Sequence, residues 1–309
     1  MIQHSPLQRV TSSLFAGHTV WIKRDDLLHP QVSGNKYRKL KYALAIETPS
    51  MVISMGGPWS NHLHALAYAC YERGWPCMGL VRGLRGEHRE LSATLRDCQA
   101  WGMQLHFVSR IDYRHLREDP ISWRKLVPLA LHNAIWIAEG GRSQDAIRGL
   151  RELPAEVHHQ LGHAPDYLIC ACGTGTTLAG LAIGAADELS SQTRVIGISA
   201  VAQGQHLLEP INQLLADFCT PKRSNFELHT TFDHGGFAKT SPDLLKFCQQ
   251  FIEETGIAIE PVYTGKMLFA LAQLCKEGRF LPSDSIVAVH TGGLQGARSD
   301  LMNNTREAK

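Results

Sequence analysis

The sequence predicts an α/β protein built from two open, twisted parallel-sheet units. Short apolar, β-branched runs alternate with helical patterns along almost all of the 309 residues. Several of those runs end in small, polar, glycine-rich loops, the arrangement that gathers ligands beyond the carboxyl ends of strands in an open sheet. The length suits about two domains of ordinary size.

Bulk properties exclude several function classes. Thirty-one basic residues against 29 acidic ones leave a net charge of +2, so there is no electrostatic case for nucleic acid or an anionic membrane. The 16 histidines are scattered, with no HExxH and no Cys/His cluster at zinc spacing, so no metal site is predicted. Residues 1–10 lack an apolar signal core, and no apolar run approaches the roughly 20 residues of a membrane span. The eight cysteines lie mostly inside apolar segments (Cys70, Cys98, Cys170, Cys248 and Cys275, for example), as expected for reduced thiols of a cytoplasmic protein. Cys170 and Cys172 share one strand face and read as packing, since no CxxC is present.

The elements follow in order. Residues 1–32 are a mixed lead-in in which Thr19 to Lys23 has strand character and Arg24-Asp25-Asp26 forms a charged turn. Ser33, Gly34 and Asn35 are turn and cap residues before a helix running to about Ile46, stopped by Thr48-Pro49. Strands are predicted at Met51–Met55, Cys77–Val81, Met103–Phe107 and Ala134–Ile137, with helices at about Ser60–Arg73, His88–Trp101 and Ser122–His132. The loop Glu139-Gly140-Gly141-Arg142-Ser143 opens one long helix to about Gln160. Strands at Tyr167–Ala171 and Arg194–Ala200 alternate with helices to Leu189 and over Gln203–Phe218. Residues 219–240 read as irregular. Ser241-Pro242 starts a helix to Gly256, another ends near Lys276, and Ser285–His290 is the last strand. The tail from Met302 is polar and reads as frayed.

Two stretches could carry chemistry. On a helix at roughly 100° per residue, Tyr37, Leu40, Ala43 and Leu44 share one arc, while Arg38, Lys39, Lys41 and Tyr42 lie outside it. Lys36 falls on the apolar side, in a first turn where the helix dipole disfavours a cation. Both effects lower a lysine pKa and suit an amine nucleophile. The second stretch is Gly173-Thr174-Gly175-Thr176-Thr177, where glycines admit a close backbone and the following helix start offers N–H groups to an anion. No Lys-Ser or Lys-Thr follows, so it is not a nucleotide P-loop. The next strand ends in Ser199-Ala200-Val201, with no acid for a ribose, so a dinucleotide fits poorly and a single phosphate monoester fits better. An amine nucleophile together with a phosphate cradle suggests pyridoxal phosphate.

At this point the chain resembles the tryptophan synthase β-like (fold-type II) PLP enzymes, and within them the D-cysteine desulfhydrase and 1-aminocyclopropane-1-carboxylate deaminase group. The resemblance rests on Ile22-Lys23-Arg24-Asp25-Asp26, Ser33 to Leu40, Ser60-Asn61-His62, Cys172 to Thr177, Pro261 to Lys266 and His290 to Gly293, in that order and at those gaps. It implies that Lys36 binds the cofactor covalently and moves the Cα proton. It implies that Gly173, Thr174, Gly175, Thr176 and Thr177 hold the phosphate of pyridoxal 5'-phosphate, and that Asn61 bonds its phenolic oxygen. Ser60, Asn61 and His62 would receive the carboxylate of a small amino acid, and Tyr263 would act beside the substrate as acid, base or orienter.

The pyridine nitrogen would meet Thr264 or Thr291. A hydroxyl there is compatible with a neutral ring and suits α,β-elimination, whereas the deaminase branch carries an acid at the position matching Thr264. The resemblance therefore implies a D-cysteine desulfhydrase-like lyase releasing a 2-oxo acid and ammonia, and a homodimer. Two departures stand out: Leu63-His64 where relatives show arginine and glutamine, and Phe237 where a second active-site tyrosine is usual. Deaminase-type ring opening, a catalytically idle PLP-binding protein and a nucleotide-using Rossmann-like enzyme remain as alternatives. The units expected are a small one over 50–150 and a large one from 1–49 and 151–309, with the cofactor between them.

Overall fold

The structure is a computed structural model that describes residues 4–87, 90–127, 132–189, 193–218 and 225–297. In chain order its strands are β1 (Leu7–Val10), β2 (Val20–Lys23), β3 (Met51–Gly56), β4 (Cys77–Arg82), β5 (Gln104–Val108), β6 (Ala134–Ile137), β7 (Tyr167–Cys172), β8 (Arg194–Ser199), β9 (Phe226–His229) and β10 (Ile286–Val289). Its helices are α1 (Asn35–Ala43), α2 (Asn61–Arg73), α3 (Ala93–Ala100), α4 (Arg110–Glu118), α5 (Trp123–Leu126), α6 (Gln144–Leu150), α7 (Glu152–Leu161), α8 (Thr176–Glu188), α9 (Leu208–Asp217), α10 (Pro242–Thr255) and α11 (Thr264–Lys276).

Two sheets result, with strand orders β1-β2-β10-β7-β8-β9 and β5-β4-β3-β6. Every pairing is parallel except that of β1 with β2. Parallel strands need cover on both faces, and alternate residues supply it. In the larger sheet Ile169, Ala171, Ile286 and Ala288 face α10 and α11 through Phe247, Phe251, Leu268 and Leu271. Leu168, Cys170, Val287 and Val289 face the other way, onto Leu178 and Leu181 of α8 and Ile211 and Leu214 of α9. In the smaller sheet Val52 and Val81 pack with Leu63, Leu66 and Leu95, while Ile53, Met55 and Leu80 pack with Tyr113, Leu116 and Trp123. The architecture is the two-sheet α/β arrangement that the sequence predicts.

Helix α1 ties the two sheets together. Its predicted arc is real: Leu40 and Leu44 are buried in the smaller sheet's cluster, with Tyr37 and Ala43 packed against it. Its other side is buried too, which the sequence reading misses. A Cβ on Gly149 would lie 2.0 Å from the Arg38 carbonyl oxygen, so α6 crosses α1 backbone to backbone. Arg38 forks onto Asp25 at 2.7 and 2.9 Å and onto Glu156 at 2.7 and 2.8 Å, and Lys23 closes on Glu156 at 2.9 Å.

Burial by itself would raise the Glu156 carboxyl, but hydrogen bonds and charge from Arg38, with Lys23 behind, hold it at about 2. A carboxyl held below its ordinary 4.5 stabilises the fold above that pH and loses the effect as pH falls toward 2. Arg38→Met strands two carboxylates and is expected to cost about 3–5 kcal/mol at neutral pH. Urea unfolding of both proteins at pH 7 and pH 3 checks this. The gap should narrow in acid, and an equal gap at both pH values would show that the charge pairing does not set it.

Five local expectations need correction. The lead-in contains β1, an edge strand formed because β2 offers it an antiparallel partner. The segment 219–240 contains β9, likewise made by pairing, with β8; residues 219–224 lie outside the described residues. The single helix to Gln160 is two, α6 and α7, meeting at Arg151 with Pro154 in the first turn of the second. The helix placed at Ser122–His132 is a short turn at 120–122 plus α5, with 128–131 outside the described residues. The main helix of that region is α4, started by Ser109, whose hydroxyl caps the Asp112 N–H at 3.1 Å. The helix predicted from His88 also begins later, at Ala93, because Ser92 caps it at the Leu95 N–H; residues 88–89 and the tail from Met302 lie outside the described residues. The seven described free cysteines are all buried.

Candidate active site

Ser33-Gly34-Asn35 turns into α1 under the end of β10. Gly34 is the cap, at φ 66° and ψ −142°. Asn35 is the first helical residue; its backbone N–H donates to the Thr291 carbonyl at 3.1 Å. Its side chain reaches the other way, donating through Nδ2 to Thr177 Oγ1 at 2.9 Å and accepting at Oδ1 from Lys36 Nζ at 2.9 Å. One amide thus links the candidate nucleophile to the glycine-threonine turn. Lys36 is half-buried, and loss of solvent lowers its pKa to about 8.

The phosphate-type cradle is where β7 passes into α8. Gly175 caps α8 at φ 76°, and the Thr174 and Thr176 hydroxyls lie 3.1 Å apart. A Cβ on Gly173 would stand 3.0 Å from the Tyr263 ring, and one on Gly140 would meet the Thr174 methyl at 2.9 Å. The two glycines therefore let Tyr263 and Thr174 pack tightly around a helix start whose N–H groups suit an anion.

Of the other predicted residues, Asn61 and Tyr263 line one pocket, and Tyr263 packs against Gly173 of the turn. Ser60 caps α2, accepting from the Leu63 N–H at 3.2 Å. Asn61 accepts from Gln295 at 3.3 Å and lies against Gly293. Tyr263 caps α11, with its N–H bonded to the buried Glu260 carboxylate at 2.9 and 3.0 Å; the same carboxylate takes the Thr264 N–H at 2.7 Å. Burial, and then the Glu260 charge, push the Tyr263 phenol well up, so it keeps its proton at neutral pH. The Thr264 hydroxyl is buried beside Glu260 without a regular hydrogen bond, and Thr291 is buried at the end of β10.

Proton accounting defines His62. Ser54 donates its one proton to the Ile137 carbonyl at 2.7 Å, so at 2.9 Å it must accept from His62 Nε2. Burial, then the charges of Lys36 and Lys39, hold the imidazole well below its ordinary pKa. His62 is thus neutral, with a bare, buried and unpartnered Nδ1.

The sequence reading missed two lysines. Lys39 lies outside the predicted apolar arc, yet it is buried and donates to the Gly140 carbonyl at 3.1 Å. Burial and then Lys36 lower its pKa strongly. Its position three residues after Lys36, one helical turn away, was the available signal. Lys266 is fully buried and donates to three carbonyls, Asp233 and Gly236 at 2.7 Å and Ala200 at 3.3 Å. It pins the loop 233–238, in which His234, Gly235, Gly236 and Ala238 all have positive φ. Lys266→Met keeps the volume and removes the donor, leaving buried carbonyls unpaired at about 1–3 kcal/mol. Faster proteolysis within 233–238 and a lower melting temperature are expected; unchanged cleavage would mean that the loop holds without the ammonium.

An amine of lowered pKa, a glycine-threonine turn at a helix start and a buried threonine hydroxyl together have the chemistry that suits a phosphorylated aldehyde. The residues present fit pyridoxal 5'-phosphate. Comparison with known proteins gives the family. Residues 2–292 match the family described as pyridoxal-phosphate dependent enzyme, and the chain belongs to it. It is 27% identical over 306 residues to a putative 1-aminocyclopropane-1-carboxylate deaminase of Pyrococcus furiosus, covering 94% of this chain and 90% of that one. It is 27% identical over 296 residues to a bifunctional D-cysteine desulfhydrase/1-aminocyclopropane-1-carboxylate deaminase of Arabidopsis thaliana, covering 91% and 73%. The fold matches the crystal structure of an ACC deaminase homologue with a TM-score of 0.78, at 24% identity, over 95% of this chain and 90% of that one. The chain is a PLP-dependent enzyme. Among the described residues no helix is long and apolar enough to cross a membrane.

Proposed function

We propose that this enzyme is a lyase that removes a β-substituent from a small amino acid, in the manner of a D-cysteine desulfhydrase, releasing a 2-oxo acid and ammonia. The observation that carries the reading is the Lys36 amine, tuned to about 8 and joined through Asn35 to Thr177. Bound there, pyridoxal phosphate supplies an aldehyde for the substrate amine and a ring that withdraws electrons from Cα.

The chain's residues do the rest. Gly173, Thr174, Gly175, Thr176 and Thr177, with the α8 start, hold the phosphate, and Lys39 adds a buried amine nearby. Asn61 bonds the phenolic oxygen, and Thr264 or Thr291 meets the ring nitrogen with a hydroxyl rather than a carboxylate. That choice supports elimination over chemistry that needs a protonated ring. Lys36 takes the Cα proton, and Tyr263, which keeps its own proton, protonates the leaving group. Ser60, Asn61 and the α2 start receive the substrate carboxylate. His62, given that role from sequence, suits it poorly, because a bare Nδ1 repels a carboxylate; it serves to orient the site. We assign the enzyme to the cytoplasm and expect a homodimer, which light scattering tests.

The decisive experiment records the bound cofactor's absorbance with D- and L-amino acids and assays sulfide, pyruvate and ammonia. D-cysteine should perturb the spectrum and yield all three products. 2-Oxobutanoate from 1-aminocyclopropane-1-carboxylate, without sulfide from cysteine, would favour the deaminase reading. No spectral response and no product with any amino acid would overturn both.

A further inference from the structure

The substrate end of the cleft has an unusual wall. Trp59, Phe237, Ala238, Val262 and Tyr263 line it together, and Asn61 and Tyr263 are shared with the proposed cofactor and carboxylate site. Phe237 and Trp59 are 44% and 36% exposed, so two large rings stand open to solvent at the mouth. Phe237 leans on Tyr263 at 5.9 Å between centroids. The Phe237 loop is not free to fold away, because Lys266 holds the carbonyls of Asp233 and Gly236. No basic side chain lines this mouth among the described residues, and the one acid there is Glu260. A sulfonate or second carboxylate on the substrate would meet no cation and one acid. Bare cysteine would leave the rings wet.

We propose that the substrate's β-substituent is a neutral, apolar thioether, so that the enzyme cleaves S-alkyl- or S-aryl-cysteines. This deepens the elimination reading above and rests on it. The Cα–H and Cβ–S bonds break and a Cα–Cβ double bond forms. The proton passes to Lys36, and the sulfur leaves with its bonding pair and is protonated by Tyr263. The enamine released becomes an imine, which water hydrolyses, so thioether amino acid plus water gives thiol, pyruvate and ammonium with no oxidant. An apolar group added to such a pocket is worth roughly 10- to 200-fold in kcat/KM.

The test compares both enantiomers of S-ethylcysteine, S-phenylcysteine, cysteine and cysteate by pyruvate release, and follows Trp59 emission on binding against a Trp59→Phe control. Support is a thioether preference over cysteine of about tenfold or more, emission quenched by S-phenylcysteine only when Trp59 is present, and a preference that narrows in Phe237→Ala. Pyruvate formed fastest from cysteine or cysteate, or a preference unmoved by Phe237→Ala, overturns this inference and leaves the lyase reading standing. Absence of pyruvate from every amino acid, with no change in the bound cofactor's absorbance, defeats the lyase reading and this inference with it.

Discussion

Lys36→Ala is expected to abolish turnover and the covalent hold on the cofactor while leaving the fold intact. The fold does not need this side chain: it donates to Asn35 Oδ1, a neighbour whose own bonds to Thr177 and Thr291 persist without it. Burial lowers the amine from its ordinary 10.5 to about 8. The charged form therefore costs folding free energy below pH 8, and that cost fades as pH rises toward 10.5. The alanine variant should match or exceed the parent's stability at pH 7. Its turnover should fall by at least about 1,000-fold, since the proposed proton carrier and covalent anchor go together. Borohydride reduction followed by peptide mass analysis should mark Lys36 in the parent and nothing in the variant. In cofactor-free protein, labelling of Lys36 by an amine reagent should rise with pH and level off above about 8, well before surface lysines respond. Covalent capture at another lysine in the variant would remove Lys36 from its role.

Gly34→Ala should be among the most damaging single-atom changes in the protein. A Cβ there would lie 1.8 Å from the Thr291 carbonyl oxygen, and the backbone sits at φ +66°. Neither contact partner is a flexible side-chain end, so the turn itself must move. The move breaks the Asn35 N–H bond to Thr291 and carries Lys36 off its line to Thr177. A stability loss of about 3 kcal/mol or more is expected, together with loss of cofactor affinity. Gly278→Ala is the control: it has φ +72° with nothing within 4 Å, so it bears the left-handed strain alone, about 1 kcal/mol. Equal melting shifts in the two variants would show that the steric contact with Thr291 is not what matters.

Much of the candidate site was legible because the proposed chemistry needs particular residue types at particular element ends. Glycine and threonine after β7, Ser60 before α2, and Lys36 on the apolar side of a helix start are all local facts, set by capping and periodicity. Lys39 and Arg38 were not legible in the same way. Their exposure depends on α6 crossing α1 at Gly149, a contact more than 100 residues away in sequence. The strands β1 and β9 exist only because a neighbour completes their hydrogen bonds, and four residues of weak β preference carry little signal of that.

The sequence by itself determined the two-sheet α/β class, most of the strand–helix alternation, the glycine-threonine turn after β7 and the lysine in the first turn of α1, because these follow from side-chain periodicity and backbone permissiveness within a few residues. Only the tertiary structure decided which amines lose their water, which His62 nitrogen keeps the proton, and which aromatic rings stand open at the mouth of the cleft. Desolvation and hydrogen-bond partnership come from segments far apart in the chain, and no local pattern encodes where they will meet.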